Sequence, residues 1–264
     1  MLGMSAVPSG LPQLAGFACA GALGRGQYGI AFLMQPTELG ADPCVVKRVD
    51  LSSMTEEERG DALCEVDVLK RLRDHANIVN YLGDWTTHDP LPMLHIQMAY
   101  ANGGTLQTYL REAREKNEWL PEELVSFWLG ELIAALEFIH ASSVLHRDFK
   151  PANIFLHRSR YYTGYSLPSL QLGDFGISRV FANTASMAST VCGTSYYLSP
   201  ELINGEKYHS PSDVWALGVV LYEICSLRRP FDGNNIGSMA IAVSPPPPPP
   251  PPTDLQLASS VRRE

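Results

Sequence analysis

The chain is short of cysteine and of basic charge, and it has no long unbroken apolar run. Its five cysteines, Cys19, Cys44, Cys64, Cys192 and Cys225, are scattered, odd in number and form no CxxC pair. That pattern excludes a disulfide framework and a cysteine-rich zinc site, and it fits a reducing compartment. Lys and Arg number 20 against 28 Asp and Glu, a formal net charge of -8, and the basic residues are dispersed. A nucleic-acid ligand needs clustered cations to neutralise its phosphates, so no such partner is expected. No stretch reaches the roughly 18 apolar residues of a membrane span. The longest candidate, Val214 to Cys225, is interrupted by Glu223, so no membrane partner is expected either. Pro8, Pro12 and the absence of Lys or Arg before Arg25 read against a secretory signal.

What is present is enough apolar material for a core: 264 residues, 45% of them hydrophobic, as one large domain or two lobes. From Phe17 to about Val49 the pattern reads strand, glycine turn, strand, loop, strand, with Ala31, Leu33, Val45, Val46 and Val49 as apolar positions. Ser53-Met54-Thr55-Glu56 fits a capping box, and Ala62, Glu65, Leu69 and Leu72 follow on one helical face. Strand-like runs around Asn80–Trp85 and Leu94–Met98 come next, before Gly103-Gly104. Pro121-Glu122-Glu123 then opens a helix with Leu124, Phe127, Trp128, Leu132, Ala135, Leu136 and Ile139 as its apolar face. Ser210-Pro211-Ser212-Asp213 starts another helix, and Val214 to Cys225 reads as buried on most sides. Beyond Gly237 the pattern dissolves into eight prolines, Pro245 to Pro252, and a polar tail. Such a run reads as a stiff polyproline II spacer or an inert tail, with a ligand for an aromatic-lined SH3- or WW-type groove as the alternative.

Three motifs carry chemistry. Gly24-Arg25-Gly26-Gln27-Tyr28-Gly29 matches G-x-G-x-x-G, which lets backbone N–H groups approach phosphates. A dinucleotide fold would need a helix at the third glycine, but Ile30-Ala31-Phe32-Leu33 continues as a strand. A P-loop would need Gly-Lys-Ser/Thr, which is absent. Lys47 ends an apolar strand, and Glu65 follows 18 residues later as a candidate ion-pair partner. The most specific run is His146-Arg147-Asp148-Phe149-Lys150-Pro151-Ala152-Asn153, with Asp174-Phe175-Gly176 beginning 21 residues after Asn153. It offers a carboxylate to take a hydroxyl proton (Asp148), a lysine to stabilise phosphoryl charge (Lys150) and two oxygen ligands for Mg2+ (Asn153 and Asp174). His146 reads as a satisfied core histidine rather than a base.

These motifs, in this order and with Ser199-Pro200-Glu201 after them, resemble the eukaryotic protein kinases from about Phe17 to Asn235. The resemblance implies an α+β, two-lobed protein kinase-like fold, a small β-rich N-lobe and a helical C-lobe lacking its last helices. The boundaries it implies are an N-terminal extension (1–16), an N-lobe (17–98), an incomplete C-lobe (99–236) and a proline-rich tail (237–264). Lys150 two places after Asp148 resembles the serine/threonine kinases, and the segments Leu172–Arg179, Gly193–Glu201 and Ser212–Gly218 resemble the NIMA-related kinases. ATP and Mg2+ are then the implied cofactors, protein substrates the implied partners, and the cytoplasm, with a cytoskeletal association, the implied setting. By the same resemblance Leu23, Gly24, Arg25, Gly26, Gln27, Tyr28 and Gly29 cover the nucleotide, and Lys47, paired with Glu65, holds its phosphates. Ala31 and Val45 face the adenine with large and small residues exchanged relative to most kinases, a swap that conserves volume in one layer. Met98 is the implied gatekeeper, Ala99, Tyr100 and Ala101 the hinge, Asp213 the anchor of the catalytic-loop backbone, and Thr190 the activating phosphorylation site.

Two departures stand out. Arg158 to Ser169 lengthens a hairpin by about eight residues and brings Tyr161, Tyr162 and Tyr165, in a place where insertions are tolerated. The likeness ends after Pro230–Asn235, which implies loss of the arginine that pairs with the glutamate matched by Glu201. A stranded buried ion costs about 3 to 5 kcal/mol. The alternative function is therefore a truncated, catalytically impaired interaction protein or splice product.

Overall fold

The computed structural model describes residues 11–25, 29–88, 90–158, 167–174, 195–231 and 237–238. By its contacts the chain divides into two compact units, Met1–Arg73 with Asn80–Tyr100, and Asp74–Val79 with Ala101–Glu264.

The alternating apolar pattern of the first unit produces five strands: β1 (Phe17–Arg25), β2 (Gly29–Pro36), β3 (Cys44–Asp50), β4 (Tyr81–Thr87) and β5 (Met93–Ala99). They form one sheet in the order β1-β2-β3-β5-β4, every pairing antiparallel. Residues directly opposite one another share a face, so the register defines rows across the sheet. Ala31 opposes Lys47, Lys47 opposes Ile96, and Ile96 opposes Asp84. The next row on that face runs Leu33, Val45, Met98, Tyr81. Ala31 and Val45 are thus diagonal neighbours on one face, so both sizes enter the same layer of side chains.

The other face has its own core of Phe32, Met34, Cys44 and Val46, against which Leu11, Leu14, Phe17 and Trp85 pack. Pro12 is buried. The segment before β1 therefore covers the sheet: Gly16 O accepts from Thr37 N at 2.9 Å and Thr37 Oγ1 at 3.1 Å, which ties its end to the turn after β2.

Between β3 and β4 runs helix α1 (Glu56–Leu72). Its capping box is Thr55 with Glu58, not Ser53 with Glu56: Glu58 N donates to Thr55 Oγ1 at 3.2 Å and Thr55 N to Glu58 Oε2 at 2.8 Å. Asp50 explains the shift of two residues. Its Oδ1 accepts from Ser52 N at 2.8 Å and Ser52 Oγ at 2.6 Å, so a local turn occupies this stretch and the helix starts later. Ala62, Glu65, Leu69 and Leu72 are buried as the periodicity predicts, and Val66 joins them.

In the second unit, α2 (Leu106–Lys116), α3 (Glu122–Ala141), α4 (Pro200–Ile203) and α5 (Ser210–Ser226) accompany a two-stranded sheet of β6 (Ile154–His157) and β7 (Ser169–Leu172). Residues 74–79 belong here because Val79 N donates to Leu172 O at 2.9 Å, Leu172 N to Asn77 O at 2.8 Å, and His75 stacks on Phe138. By length and composition α3 is apolar enough to cross a membrane, which corrects the choice of Val214–Cys225 as the longest apolar candidate. Its Trp128, Leu132, Ala135 and Ile139 are buried, the pattern of a core helix. Phe127, expected on that apolar face, is 41% exposed, and Val125 is buried instead. Val214, expected to be buried, is exposed.

The long loop from β6 to β7 is held at both stems. Asn102 and Arg158 exchange two hydrogen bonds (3.0 and 2.8 Å), and the buried Trp128 donates Nε1–H to Pro168 O at 2.7 Å. Tyr161, Tyr162 and Tyr165 lie outside the described residues.

Candidate active site

In the first unit the expected ion pair is present. Lys47 Nζ lies 2.9 Å from Glu65 Oε1, with the two side chains 22% and 10% exposed. β3 places Lys47 on the face where Ala31, Val45 and Met98 also stand, and α1 turns Glu65 toward it. Of the nucleotide-covering residues, Leu23, Gly24 and Arg25 are exposed at the end of β1 and Gly29 opens β2. Gly26, Gln27 and Tyr28 lie outside the described residues. Gly29 has a packing reason beyond phosphate approach, since a Cβ there would sit 2.3 Å from Arg48 O, a backbone atom that cannot swing aside. At the expected hinge, Ala99 N donates to Asn80 O at 2.8 Å, so this N–H is committed within the protein. Met98, Ala99 and Tyr100 are partly buried and Ala101 is buried.

In the second unit the catalytic-loop residues converge. Asp148 Oδ2 accepts from Lys150 Nζ at 2.7 Å and from Asn153 Nδ2 at 2.9 Å, and the same Nδ2 donates to Asp148 O at 2.8 Å. Both Asn153 bonds use the amide nitrogen and neither uses Oδ1. Asn153 O accepts from Gly173 N at 3.0 Å, which ties the residue before Asp174 to the metal-ligand candidate. Asp174 is exposed and sits at φ 52°, as Arg147 does at 65°. Non-glycine residues pay for that left-handed conformation, and such strain recurs where a side chain must be aimed.

His146 is fully buried and its tautomer is fixed. Nδ1 accepts from Asp148 N at 3.3 Å, so the ring proton is on Nε2, which donates to Gly173 O at 3.2 Å. Burial holds this imidazole below its ordinary value, against the opposing pull of Asp213, Asp148, the Gly173 carbonyl and Asp174. It is a neutral brace, with Gly173 held at both N–H and C=O. A Cβ on Gly173 would lie 2.8 Å from Val79 Cγ2 and 3.0 Å from Phe155 Cε2, so the chain just after β7 passes where only glycine fits without displacement.

Asp213 is the anchor of this assembly. Its carboxylate is wholly buried and accepts four hydrogen bonds: His146 N (3.0 Å) and His140 Nε2 (2.8 Å) on Oδ2, Arg147 N (3.1 Å) and Tyr208 OH (2.5 Å) on Oδ1. Burial first, and then the Asp213 charge and hydrogen bond, push the Tyr208 phenol far above its usual range. Sequence reasoning named Asp213 but missed His140 and Tyr208, which no short motif marks. Glu201 is not left bare, since its Oε1 accepts from Ser212 Oγ at 2.5 Å. Burial pushes that carboxyl up, and the hydrogen bond from Ser212, with its own backbone N–H, more than offsets it and holds it low. Thr190, Phe175 and Gly176 lie outside the described residues.

Among the described residues no cluster of three or more His, Cys, Asp or Glu side chains could hold a metal. Asn153 Oδ1 and the exposed Asp174 carboxylate are hard oxygen donors, the type that suits Mg2+ when phosphates and water complete its shell. The residues present fit that ion.

A strand-borne lysine paired to a helix glutamate, and a loop carrying Asp148, Lys150 and Asn153 that is tied to the residue before Asp174, are the residue pattern of a protein kinase domain. The protein kinase domain family matches residues 17–244, and the chain belongs to that family. Its relatives include the mouse serine/threonine-protein kinase Nek9, 39% identical over 222 residues, covering 84% of this chain and 21% of that protein. Mouse Nek1 is 37% identical over 221 residues (84% and 17%), and nekl-2 of Caenorhabditis elegans is 34% identical over 228 residues (84% and 60%). The chain thus spans about a fifth of the length of the first of these relatives.

Proposed function

We propose that the chain is an ATP- and Mg2+-dependent protein serine/threonine kinase that transfers the γ-phosphate of ATP to Ser/Thr hydroxyls of protein substrates. The observation that carries this reading is the Asp148 carboxylate held by Lys150 and Asn153, with Gly173, and hence Asp174, tied to the same loop. Bound Mg-ATP supplies the transferable phosphoryl group and offsets its charge. Asp148 orients the acceptor hydroxyl and takes its proton; Lys150, already on Asp148 Oδ2, stabilises charge on the transferring group. Asn153 and Asp174 hold the metal. Lys47, ordered by Glu65, holds the α and β phosphates. Leu23, Gly24, Arg25 and Gly29 cover the nucleotide with Gly26, Gln27 and Tyr28. Ala31, Val45 and Met98 line the base, with Ala99, Tyr100 and Ala101 supplying backbone contacts.

Phosphorylation of Thr190 raises activity by adding a dianion that pairs with Arg147, a charge-assisted contact that threonine lacks. The proline run Pro245–Pro252 serves as a spacer or docks an SH3- or WW-type groove. The setting is cytoplasmic, with a cytoskeletal association. The test is radiolabelled phosphate transfer to a generic protein substrate, followed by phosphoamino-acid analysis. Label on Ser and Thr with the native chain, and about 100-fold or more less with Asp148→Asn, is the expected result. Equal labelling by both would overturn the reading.

A further inference from the structure

The ion pair that orders Lys47 has a neighbour of opposite polarity. Lys70, five residues after Glu65 on α1, places Nζ 2.8 Å from Asp84 Oδ1 on β4, the side chains 44% and 24% exposed. Tyr81 braces the same oxygen, donating its hydroxyl to Asp84 Oδ1, and the Lys70 ammonium lies 5.8 Å from the Tyr81 ring centroid. The Tyr81 proton and the Lys70 charge explain why the Asp84 carboxyl is held low although burial pushes it up.

The sheet register shows what this arrangement does. Lys47 and Asp84 stand in one row, with Ile96 between them. Two strand spacings put their backbones about 10 Å apart. On α1, Glu65 and Lys70 are separated by about 7.5 Å of axial rise and about 140° of turn. The sheet row therefore reads positive then negative, and the helix reads negative then positive. Moving α1 along or about its axis pulls both side chains from their partners, and any displacement that brings Lys70 toward Lys47 or Glu65 toward Asp84 meets repulsion. A single contact would leave the helix able to pivot; two of opposite sense fix its tilt and its register. The buried Ala62, Val66, Leu69 and Leu72 keep α1 from leaving the core, but apolar contact is non-directional and does not by itself assign charged partners.

We propose that Lys70 and Asp84, braced by Tyr81, are positioning residues that set the register of α1 and so keep Glu65 on Lys47. The inference rests on the kinase reading, in which that pair orders the nucleotide phosphates.

The test is a charge-reversal cycle in the 264-residue chain: Lys70→Glu, Asp84→Lys and the double exchange, with Lys70→Arg as the conservative variant. Two readouts are taken: kcat and KM for ATP, and the rate at which a water-soluble activated ester labels Lys47, followed by mass spectrometry. Each single reversal is expected to lower kcat/KM for ATP by about 10-fold, roughly the effect of one misplaced contact worth about 1.4 kcal/mol. Lys47 labelling should rise about 3-fold or more as Glu65 ceases to shield it, a change of roughly 0.7 kcal/mol in its protection. Lys70→Arg should return both readouts to within about 2-fold of the native chain, whereas the double exchange, which re-forms the pair but leaves both row charges positive and both helix charges negative, should recover only part of the loss. Native-like values in both single reversals would overturn the proposal, as would equal losses in the singles and the double. If the native chain transfers no phosphate, the kinase reading fails, and the labelling cycle alone decides whether the register lock exists.

Discussion

The two units hold their functional residues by different means. In the second, the chain from His146 to Asn153 is fastened through a wholly buried carboxylate with four donors, a histidine with both nitrogens engaged and an asparagine bonded twice to Asp148. In the first, Lys47 meets Glu65 through an ion pair between a strand and a helix, and both ends keep some exposure. Buried, mutually satisfied networks admit one arrangement, whereas a partly hydrated ion pair exchanges readily with water. The Asp148 loop is thus held by buried hydrogen bonds, and the lysine–glutamate contact depends on how α1 is set against its strands.

Asp213→Ala should break the comparison most severely. It strips one acceptor from each of four donors, so unfolding stability should fall by about 3 to 5 kcal/mol, read by chemical denaturation, with transfer activity lost as well. Glu65→Gln should separate activity from stability. Lys47 can hydrate when released, so the melting temperature should stay within a few degrees while kcat/KM for ATP drops about 10- to 100-fold. An equal stability loss in the two variants would erase the distinction.

Gly173→Ala should be intermediate for stability. Its Cβ must displace Val79 and Phe155, costing about 1 to 3 kcal/mol, visible as a lowered melting temperature with the far-UV spectrum unchanged. Mild acid gives the smallest effect per group. Burial lowers His146 and His75, and burial with the Arg48 charge lowers His95 to about 4. The unfolded chain, titrating near about 6.5, takes up protons first as pH falls. Stability is therefore full above about pH 6.5 and declines below it toward the folded values, by at most about 1.4 kcal/mol per pH unit for each histidine. Denaturation midpoints between pH 7.5 and 5 check this, and a midpoint that rises as pH falls would contradict it.

Much of this was legible in the sequence for physical reasons. Period-2 alternation located the strands, because one face of each must be buried, and helical spacing located α1 and α3. Asp148, Lys150, Asn153 and Asp174 form short motifs whose spacing is itself the geometry. What escaped depends on partners distant in sequence. His140 and Tyr208 look ordinary until folding brings both to Asp213. Phe127 and Val125 are adjacent apolar residues, and only the packing of α3 decides which is buried. The Thr55 cap won over Ser53 because Asp50 had already turned the chain at Ser52, a competition between two matches to one pattern. The charge-matched row of Lys47 and Asp84 was invisible for the same reason, since strand register is not written in either strand alone.

The proposed phosphotransferase activity rests on the tethered loop and Asp174. Its most direct test is Mg2+-dependent phosphate transfer from ATP by the native chain beside Asp174→Ala, each checked for melting temperature. Transfer to Ser and Thr by the native chain, abolished in Asp174→Ala at an unchanged melting temperature, is the predicted result. Equal transfer by both proteins, or no transfer by a folded native chain, would contradict it.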